Sequence, residues 1–277
     1  MIPCIWYVSS ATRPWERLLI GNMASALRGR GVSLSLYVDG GTTGINVTGI
    51  HSWRALTGFE RMKRVLLSRR ALWHLWGEAP FWWGLVRLRF RTVHTSFDAA
   101  PSWLGHPSRI FPEPSRNGES IILPTFDSRV SQMEEEQGQA VYMDPAAASP
   151  ALRWVLDDLG APVIDLREVR FNSVPARSGV VIPGGPEPSD ALLATVMTMH
   201  GLTVAALDSP YLQALLGPDG YFVAEDTADV WRDTLIEALS DRGRALGASA
   251  RHFVNTRCSA SACADSIVSL YTRVLES

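Results

Sequence analysis

Lysine is almost absent from this chain. Lys63 is the only lysine among 26 basic residues, so the other 25 are arginines. Any role that stabilises negative charge therefore falls to arginine or histidine. Cysteine is scarce as well, with three residues at positions 4, 258 and 263 and no C-x-x-C spacing. This argues against a zinc site or a disulfide framework and favours a reducing cytoplasm.

Other absences argue against further classes of protein. No run of about 18 uncharged apolar residues occurs, so no transmembrane helix is predicted. The first eight residues lack the basic and long apolar regions of a signal peptide and are predicted to form a strand. Without GxSxG, HExxH, Walker A or GxGxxG motifs, no motif supports a hydrolase, metalloprotease, nucleoside triphosphatase or NAD enzyme. A net charge of −2 and a pI of about 6.3 argue against a general nucleic-acid binder.

The first half of the chain alternates predicted strands and helices. The helix at 14–29 has apolar residues at helical spacing, and the strand at 32–38 alternates polar and apolar residues. Residues 99–118 are rich in proline and are predicted to be an irregular connection. The other predicted strands are 2–8, 46–51, 71–76, 91–95 and 119–124, and the other predicted helices are 58–70 and 78–90.

A second alternation follows a polar, acidic stretch at 125–139, which is predicted to be a linker. Strands are predicted at 140–143, 162–166, 179–182, 202–207 and 220–223, and helices at 149–159, 189–200, 209–216, 227–239 and over 241–276. We therefore predict an α/β protein with two Rossmann-like domains whose parallel sheets face each other across a cleft. The domains are placed at 1–127 and 140–259, with a C-terminal helix at 260–277 packing back on the first.

Four parts of the chain resemble, in order, the retaining glycosyltransferases of the GT-B architecture (glycosyltransferase family 4-like, group 1). They are the opening strand, helix and strand with ALRGRGV at 26–32, the strand LWHLW at 72–76, the segments RTVHTSFD at 91–98 and IILPTFD at 121–127, and a C-terminal block with matches at 201–208, 215–223, 246–251 and 270–275. The resemblance covers most of the chain, although both domains are shorter than is usual in the family.

The resemblance implies transfer of a sugar from a nucleotide-sugar donor to a glycan or lipid-linked acceptor, as in polysaccharide biosynthesis. The C-terminal domain would hold the donor, and the N-terminal domain would face the acceptor. No metal or other cofactor is expected, because protein cations and a helix N-terminus stabilise the leaving diphosphate. The expected location is the cytoplasm or the inner face of the membrane.

The chain departs from the family at the donor site. The family's Arg and Lys pair is missing from residues 143–150, and Arg153 is the nearest cation. Glu187 stands for the first of two family glutamates, but the second position is Thr195. The loop with Gly184 and Gly185 that leads to Ser189 can offer backbone N–H groups to an anion. The same residues also fit a plain turn with Ser189 as a helix cap.

Candidate residues in the first domain lie near predicted strand ends. His94 is predicted to be catalytic together with Glu187, because the family places a histidine in that region against the transferring sugar. Asp98 and His74 are predicted on neighbouring loops as substrate contacts. Arg13 and Arg17 replace a glycine-rich loop and are predicted to contact an anionic acceptor. For the two histidines and the two arginines, a structural or surface role is the alternative.

Residues 54–91 combine nine basic residues with aromatic ones that include Trp73, Trp76, Phe81, Trp82 and Trp83. Such a surface can dock peripherally on anionic lipid. The alternative, which helix and strand spacing favours, is that the tryptophans form the core of the first domain.

Three functions stay open at this stage. The first is an active glycosyltransferase with an altered donor site. The alternative is a catalytically degenerate homologue that binds a glycan or a partner protein. The third is a lipid-surface scaffold, which depends on residues 54–91 alone.

Overall fold

The computed structural model describes residues 1–39, 45, 50–68, 70–97, 106–110, 120–126, 140–166, 169, 179–185 and 188–277. The chain divides into two compact units: unit 1 is Met1–Thr125 with Cys258–Ser277, and unit 2 is Phe126–Arg257. Each unit contains one sheet, and every described strand pair is parallel. The predicted class, α/β with two parallel-sheet domains, is confirmed.

The described elements follow the chain in order. The strands are β1 (Ile2–Val8), β2 (Val32–Val38), β3 (Ile50–Ser52), β4 (Leu72–Trp76), β5 (Thr92–Ser96), β6 (His106–Ile110), β7 (Ser120–Ile122), β8 (Ala140–Met143), β9 (Val163–Asp165), β10 (Gly179–Ile182), β11 (Thr203–Leu207) and β12 (Tyr221–Val223). The helices are α1 (Pro14–Ala26), α2 (Gly58–Leu67), α3 (Trp83–Arg89), α4 (Pro150–Leu159), α5 (Pro188–Met199), α6 (Pro210–Leu216), α7 (Ala228–Ala238), α8 (Asp241–Arg257) and α9 (Ala260–Glu276).

In unit 1 the first strand lies inside the sheet. The strand order is β3-β2-β1-β4-β5-β6-β7, so the chain leaves β1 towards one edge and later returns to its other side. Right-handed crossovers then place α1 on one face of the sheet and α2 and α3 on the other. The prediction of an irregular connection over 99–118 was wrong for β6, which pairs with β5 and β7 despite its proline.

A chain of buried hydrogen bonds ties α9 to this sheet. The Nε1–H of Trp6 donates to Oη of Tyr271 at 2.6 Å, and this hydroxyl lies 2.7 Å from Nδ1 of His74. Nε2 of His74 lies 2.7 Å from Oγ1 of Thr95, whose hydroxyl also bonds Ser108. Burial holds the pKa of His74 well below its usual value, so the imidazole is neutral, with one ring nitrogen donating and the other accepting. These hydrogen bonds, made by Tyr271 of α9, explain why this helix belongs to unit 1 although it follows unit 2 in the sequence.

Unit 2 is built on a sheet of order β12-β11-β10-β8-β9. Its first strand, β8, also lies inside the sheet, with β9 on one side and β10 on the other. Gly179 begins β10 so close to its neighbour that an added Cβ would lie 2.6 Å from the carbonyl oxygen of Ala140. The loops after β8 and β10 then run to opposite sides of the sheet, which opens a crevice where they part.

No helix among the described residues is long and apolar enough to cross a membrane.

Replacing Tyr271 by phenylalanine should destabilise unit 1. The change removes the hydroxyl that pairs with Trp6 and His74, and each buried group left unsatisfied costs about 1–3 kcal/mol. We expect the free energy of unfolding, measured by urea denaturation with tryptophan fluorescence, to fall by about 2–4 kcal/mol.

Tyr142→Phe is the matched control for this substitution. The Tyr142 hydroxyl is buried and has no hydrogen-bond partner among the described residues, so its removal should leave the free energy of unfolding unchanged or slightly raised. Equal losses in the two variants would contradict the role given to Tyr271.

Candidate functional site

In unit 1, the carboxyl ends of β1 and β4 meet in a tight backbone corner. The amide of Ser9 donates to the carbonyl of Trp76 at 3.0 Å. Gly77 follows β4 with a φ of +88°, and an added Cβ there would lie 2.7 Å from Cγ2 of Thr12. Only glycine fits this position without a shift, because both its conformation and its surroundings exclude a side chain.

Arg13 and Arg17, the two arginines predicted to contact the acceptor, lie in different environments. Arg17 is 9% exposed, and its guanidinium donates to Oγ1 of Thr12 at 3.1 Å and to the carbonyl of Ser10 at 3.2 Å. It therefore holds the loop after β1 in shape. Arg13 precedes α1, lies 3.5 Å from a carboxylate oxygen of Glu16, and keeps its side chain 46% exposed. Of the two, Arg13 is the one whose side chain reaches solvent.

His94 lies in β5, and its ring is almost completely buried. Its Nε2 lies 2.7 Å from the carbonyl oxygen of Gly77, so Nε2 carries the proton and donates. Nδ1 is buried and has no hydrogen-bond partner among the described residues. Burial lowers the pKa of His94, which keeps the ring neutral. The ring therefore holds a buried acceptor that is unused among the described residues.

His74 lies within β4, inside the predicted strand at 71–76, and not on the neighbouring loop predicted for it as a substrate contact. It is fully buried, and both of its ring nitrogens are hydrogen-bonded inside the core. Burial holds the pKa of His74 well below its usual value. These contacts account for His74 as part of the fold of unit 1.

In unit 2, a cavity lies where the loops after β8 and β10 part. Its volume is about 60 Å³, smaller than the roughly 300–1,000 Å³ of typical small-molecule sites, so it would enclose only part of a ligand. It is lined by Met143, Ala147, Ser149, Leu152, Ile182, Pro183, Gly184, Gly185, Ala206, Leu207, Asp226 and Trp231. The cavity lies at the switch point of the sheet, where ligands of open α/β sheets bind.

A polar network forms one wall of the cavity. The carboxylate of Asp226 accepts from Oγ of Ser149 and from Nε1 of Trp231, both at 2.7 Å. Ser149 also caps α4, because its Oγ accepts from the amide of Leu152 at 3.2 Å. Sequence reasoning missed this wall. The serine-proline pair before α4 signals its helix cap, but nothing local signals the partner 77 residues away.

Among the described residues, three aspartates lie in or next to the cavity. Asp144 follows β8, and its carboxylate accepts from the amide of Ala146 at 2.9 Å. Asp190 in the first turn of α5 places a carboxylate oxygen 3.2 Å from where a Cβ on Gly185 would lie. Asp226 in the wall is the third. Arg153 is exposed on α4 and donates to the carbonyl of Pro145 at 3.4 Å.

The structure brings together part of the predicted donor site. Gly184 and Gly185 line the cavity. Ser189 is buried inside the first turn of α5, which begins at Pro188, so the helix starts one residue before the predicted cap. Glu187 and Asp98 lie outside the described residues.

No group of three or more histidine, cysteine, aspartate or glutamate side chains that could hold a metal ion occurs within the described ranges.

Comparison with solved structures shows that the chain has the GT-B fold. A glycosyltransferase from Rickettsia africae ESF-5 matches with a TM-score of 0.60 at 11% identity, over 99% of this chain and 98% of that one. Anabaena Alr3699/HepE, solved in complex with UDP, matches with a TM-score of 0.60 at 10% identity, over 98% and 100%. AviGT4, a glycosyltransferase involved in avilamycin A biosynthesis, matches with a TM-score of 0.57 at 12% identity, over 99% and 98%.

No family model and no curated protein matches the sequence. At identities near 10%, the structural likeness shows the fold and not the activity. The chain is therefore similar in fold to GT-B glycosyltransferases, as the sequence resemblance predicted.

Stability should fall as the pH drops below about 6.5, the ordinary pKa of histidine. The unfolded chain then takes up protons that buried His74 and His94 exclude in the folded chain, because burial lowers both pKa values. Stability is full above that pH and declines below it, by up to about 1.4 kcal/mol per pH unit for each ring.

The variant His94→Gln should show a shallower loss of stability when urea denaturation is repeated across this pH range. His252→Gln removes an exposed histidine from α8 and is the control. An unchanged slope in His94→Gln would contradict the buried, neutral state assigned to this ring.

Proposed function

We propose that this chain is a retaining glycosyltransferase that holds a nucleotide sugar at the cavity between the loops after β8 and β10. The position of the cavity supports this proposal, since it lies at the switch point of a parallel sheet in a chain with the GT-B fold. The acceptor is a glycan or a lipid-linked sugar, and the reaction takes place on the cytoplasmic side. A neighbour of the same fold binds UDP, so uridine nucleotides are the first donors to test.

The proposed contacts to the donor are inferred from the residues around the cavity. Gly184 and Gly185 have no side chains to block the approach of a nucleotide. The first turn of α5, with Ser189, presents N–H groups that favour an anion. Arg153, exposed on α4, is the cation proposed for the diphosphate, and Glu187 is proposed to bind the donor.

On the acceptor side, His94 is the proposed contact to the sugar. Its Nε2–H is engaged with Gly77, so Nδ1 is the ring atom left to accept from a sugar hydroxyl, once acceptor binding has exposed this buried nitrogen. Arg13 is the half-exposed cation proposed to meet an anionic acceptor. His74, Arg17 and Asp98 are not needed for this proposal.

A second function is favoured by the charges around the cavity. The family's Arg and Lys pair is missing from residues 143–150, and Asp226 places a carboxylate in the cavity wall, where it disfavours a diphosphate. In this second proposal the chain is a degenerate homologue that binds a glycan or a partner and transfers nothing.

The affinities of uridine and UDP should distinguish the two functions. For a transferase, the diphosphate should raise affinity at least about tenfold over uridine in calorimetric titrations, or about 1.4 kcal/mol. Release of UDP from a UDP-sugar should also be measurable and should be lost in Glu187→Ala, but not in Asp233→Asn, an exposed control on α7. Equal affinity for uridine and UDP, without UDP release, would contradict the transferase and support the degenerate homologue.

Bulk added to the cavity should abolish nucleotide binding. A Cβ on Gly184 would lie 3.5 Å from Cβ of Ala147, which is ordinary contact, so Gly184→Val should fold normally while filling the cavity. We expect UDP affinity to fall about tenfold or more, or about 1.4 kcal/mol. Ala146→Val adds similar bulk to an exposed neighbour and should bind normally. Full UDP binding by Gly184→Val would place the nucleotide elsewhere.

A further inference from the structure

Helix α2 turns its apolar face away from the core. It has no buried residue, although Phe59, Met62, Leu66 and Leu67 follow the spacing of a single helix face. All four side chains are between 43% and 73% exposed. In a surface helix of a globular protein this face normally lies against the core. Here it lies in solvent.

The helix is held to unit 1 by its opposite side. Arg61 donates to the carbonyl of Trp53 at 3.1 Å, and Val65 packs on the core cluster that contains Trp53. Thr57 and Glu60 form a capping box at the helix start. The helix is therefore well anchored while its apolar face remains exposed.

Helix α3 repeats this arrangement on the same face of the sheet. Trp83 and Val86 point into the cluster on which Val65 packs. Phe81, just before α3, and Leu85 and Leu88 within it recur at helical spacing and are between 70% and 98% exposed. Seven of the twelve large apolar side chains exposed in the described residues thus belong to 59–88. This concentration marks a surface and not scattered residues.

Positive charge surrounds these apolar side chains. Residues 58–91 contain eight basic residues and two acidic ones, a net charge of +6 in a chain of net charge −2, so the rest carries −8. Six of these basic residues are exposed on or next to the two helices: Lys63, Arg64, Arg70, Arg87, Arg89 and Arg91.

We propose that the outer faces of α2 and α3 form a docking surface for an anionic phospholipid membrane. Apolar side chains on such a surface enter the boundary between headgroups and acyl chains, while basic residues bind the lipid phosphates. A second copy of this chain is a poorer partner, because a symmetric contact would bring +6 against +6. This inference depends on unit 1 alone and is independent of the nucleotide site.

The residues that make this surface differ from those singled out in the sequence. Trp73, Trp76 and Trp83 are buried, and Trp82 packs against the same core cluster. Phe81 is the only one of the five aromatic residues noted there that is exposed. The sequence alternative, a tryptophan core, is thus correct for the tryptophans, and the proposed membrane contact is carried by aliphatic residues and phenylalanines.

The test is co-sedimentation of the full chain with vesicles. We expect binding to vesicles of equal parts phosphatidylglycerol and phosphatidylcholine, and no binding to phosphatidylcholine alone. Binding should weaken strongly at about 1 M salt, where the Debye length is about 3 Å. Lys63→Gln with Arg70→Gln should reduce affinity about fivefold per charge, which corresponds to about 1 kcal/mol each. Phe59→Ser with Leu67→Ser, and Phe81→Ser with Leu88→Ser, should each reduce it at least as much.

Controls on other surfaces separate docking from general effects. Ile236→Ser removes an exposed apolar residue from α7, and Arg242→Gln with Arg273→Gln removes two exposed charges from other helices. All variants change exposed side chains, so their thermal midpoints should match the parent. The proposal is overturned by equal binding to neutral vesicles, by no binding to anionic ones, or by full binding of the α2 and α3 variants. Loss of a dimer in those variants, seen by size exclusion without any vesicle binding, would assign the surface to protein contact instead.

Discussion

The backbone pairing of β10 with β8 is the interaction on which the candidate site depends. The two strands run parallel in register from Gly179 opposite Ala140 to Ile182 opposite Met143. The pairing requires glycine at 179, because a Cβ there would meet the Ala140 carbonyl. Since β9 leaves β8 on the other side, the loops that follow the two strands must diverge. The cavity is the space that this divergence leaves, and the polar wall of Asp226, Ser149 and Trp231 gives it shape.

The two units use charged and polar groups in opposite ways. In unit 1, Trp6, Tyr271, His74 and Thr95 satisfy one another in a buried chain of hydrogen bonds, and a basic surface lies on the outside of the helices. In unit 2, the carboxylate of Asp226 lies in the cavity wall, and Arg153 is exposed on α4. A leaving diphosphate needs positive charge. Whether the proposed nucleotide site supports transfer therefore depends on the charges around it.

The sequence predicted most elements because each strand is a short apolar run and each helix keeps its own spacing. Strand β8 and helix α5 were placed within one residue of their observed ends. Strand β6 was missed, because its sequence, HPSRI, has no apolar run and its structure depends on pairing with β5. The role of His74 could not be predicted, because its partner Tyr271 lies 197 residues away. The outward apolar face of α2 was missed for a related reason: periodicity shows that a face exists, but not which way it points.

The most direct measurement is a crystal structure of the full chain with UDP. The account predicts density for the uridine against Gly184, Gly185 and Ser149 in unit 2, at the carboxyl ends of β8 and β10. Nucleotide density elsewhere on the chain, or none at a saturating concentration of UDP, would contradict it.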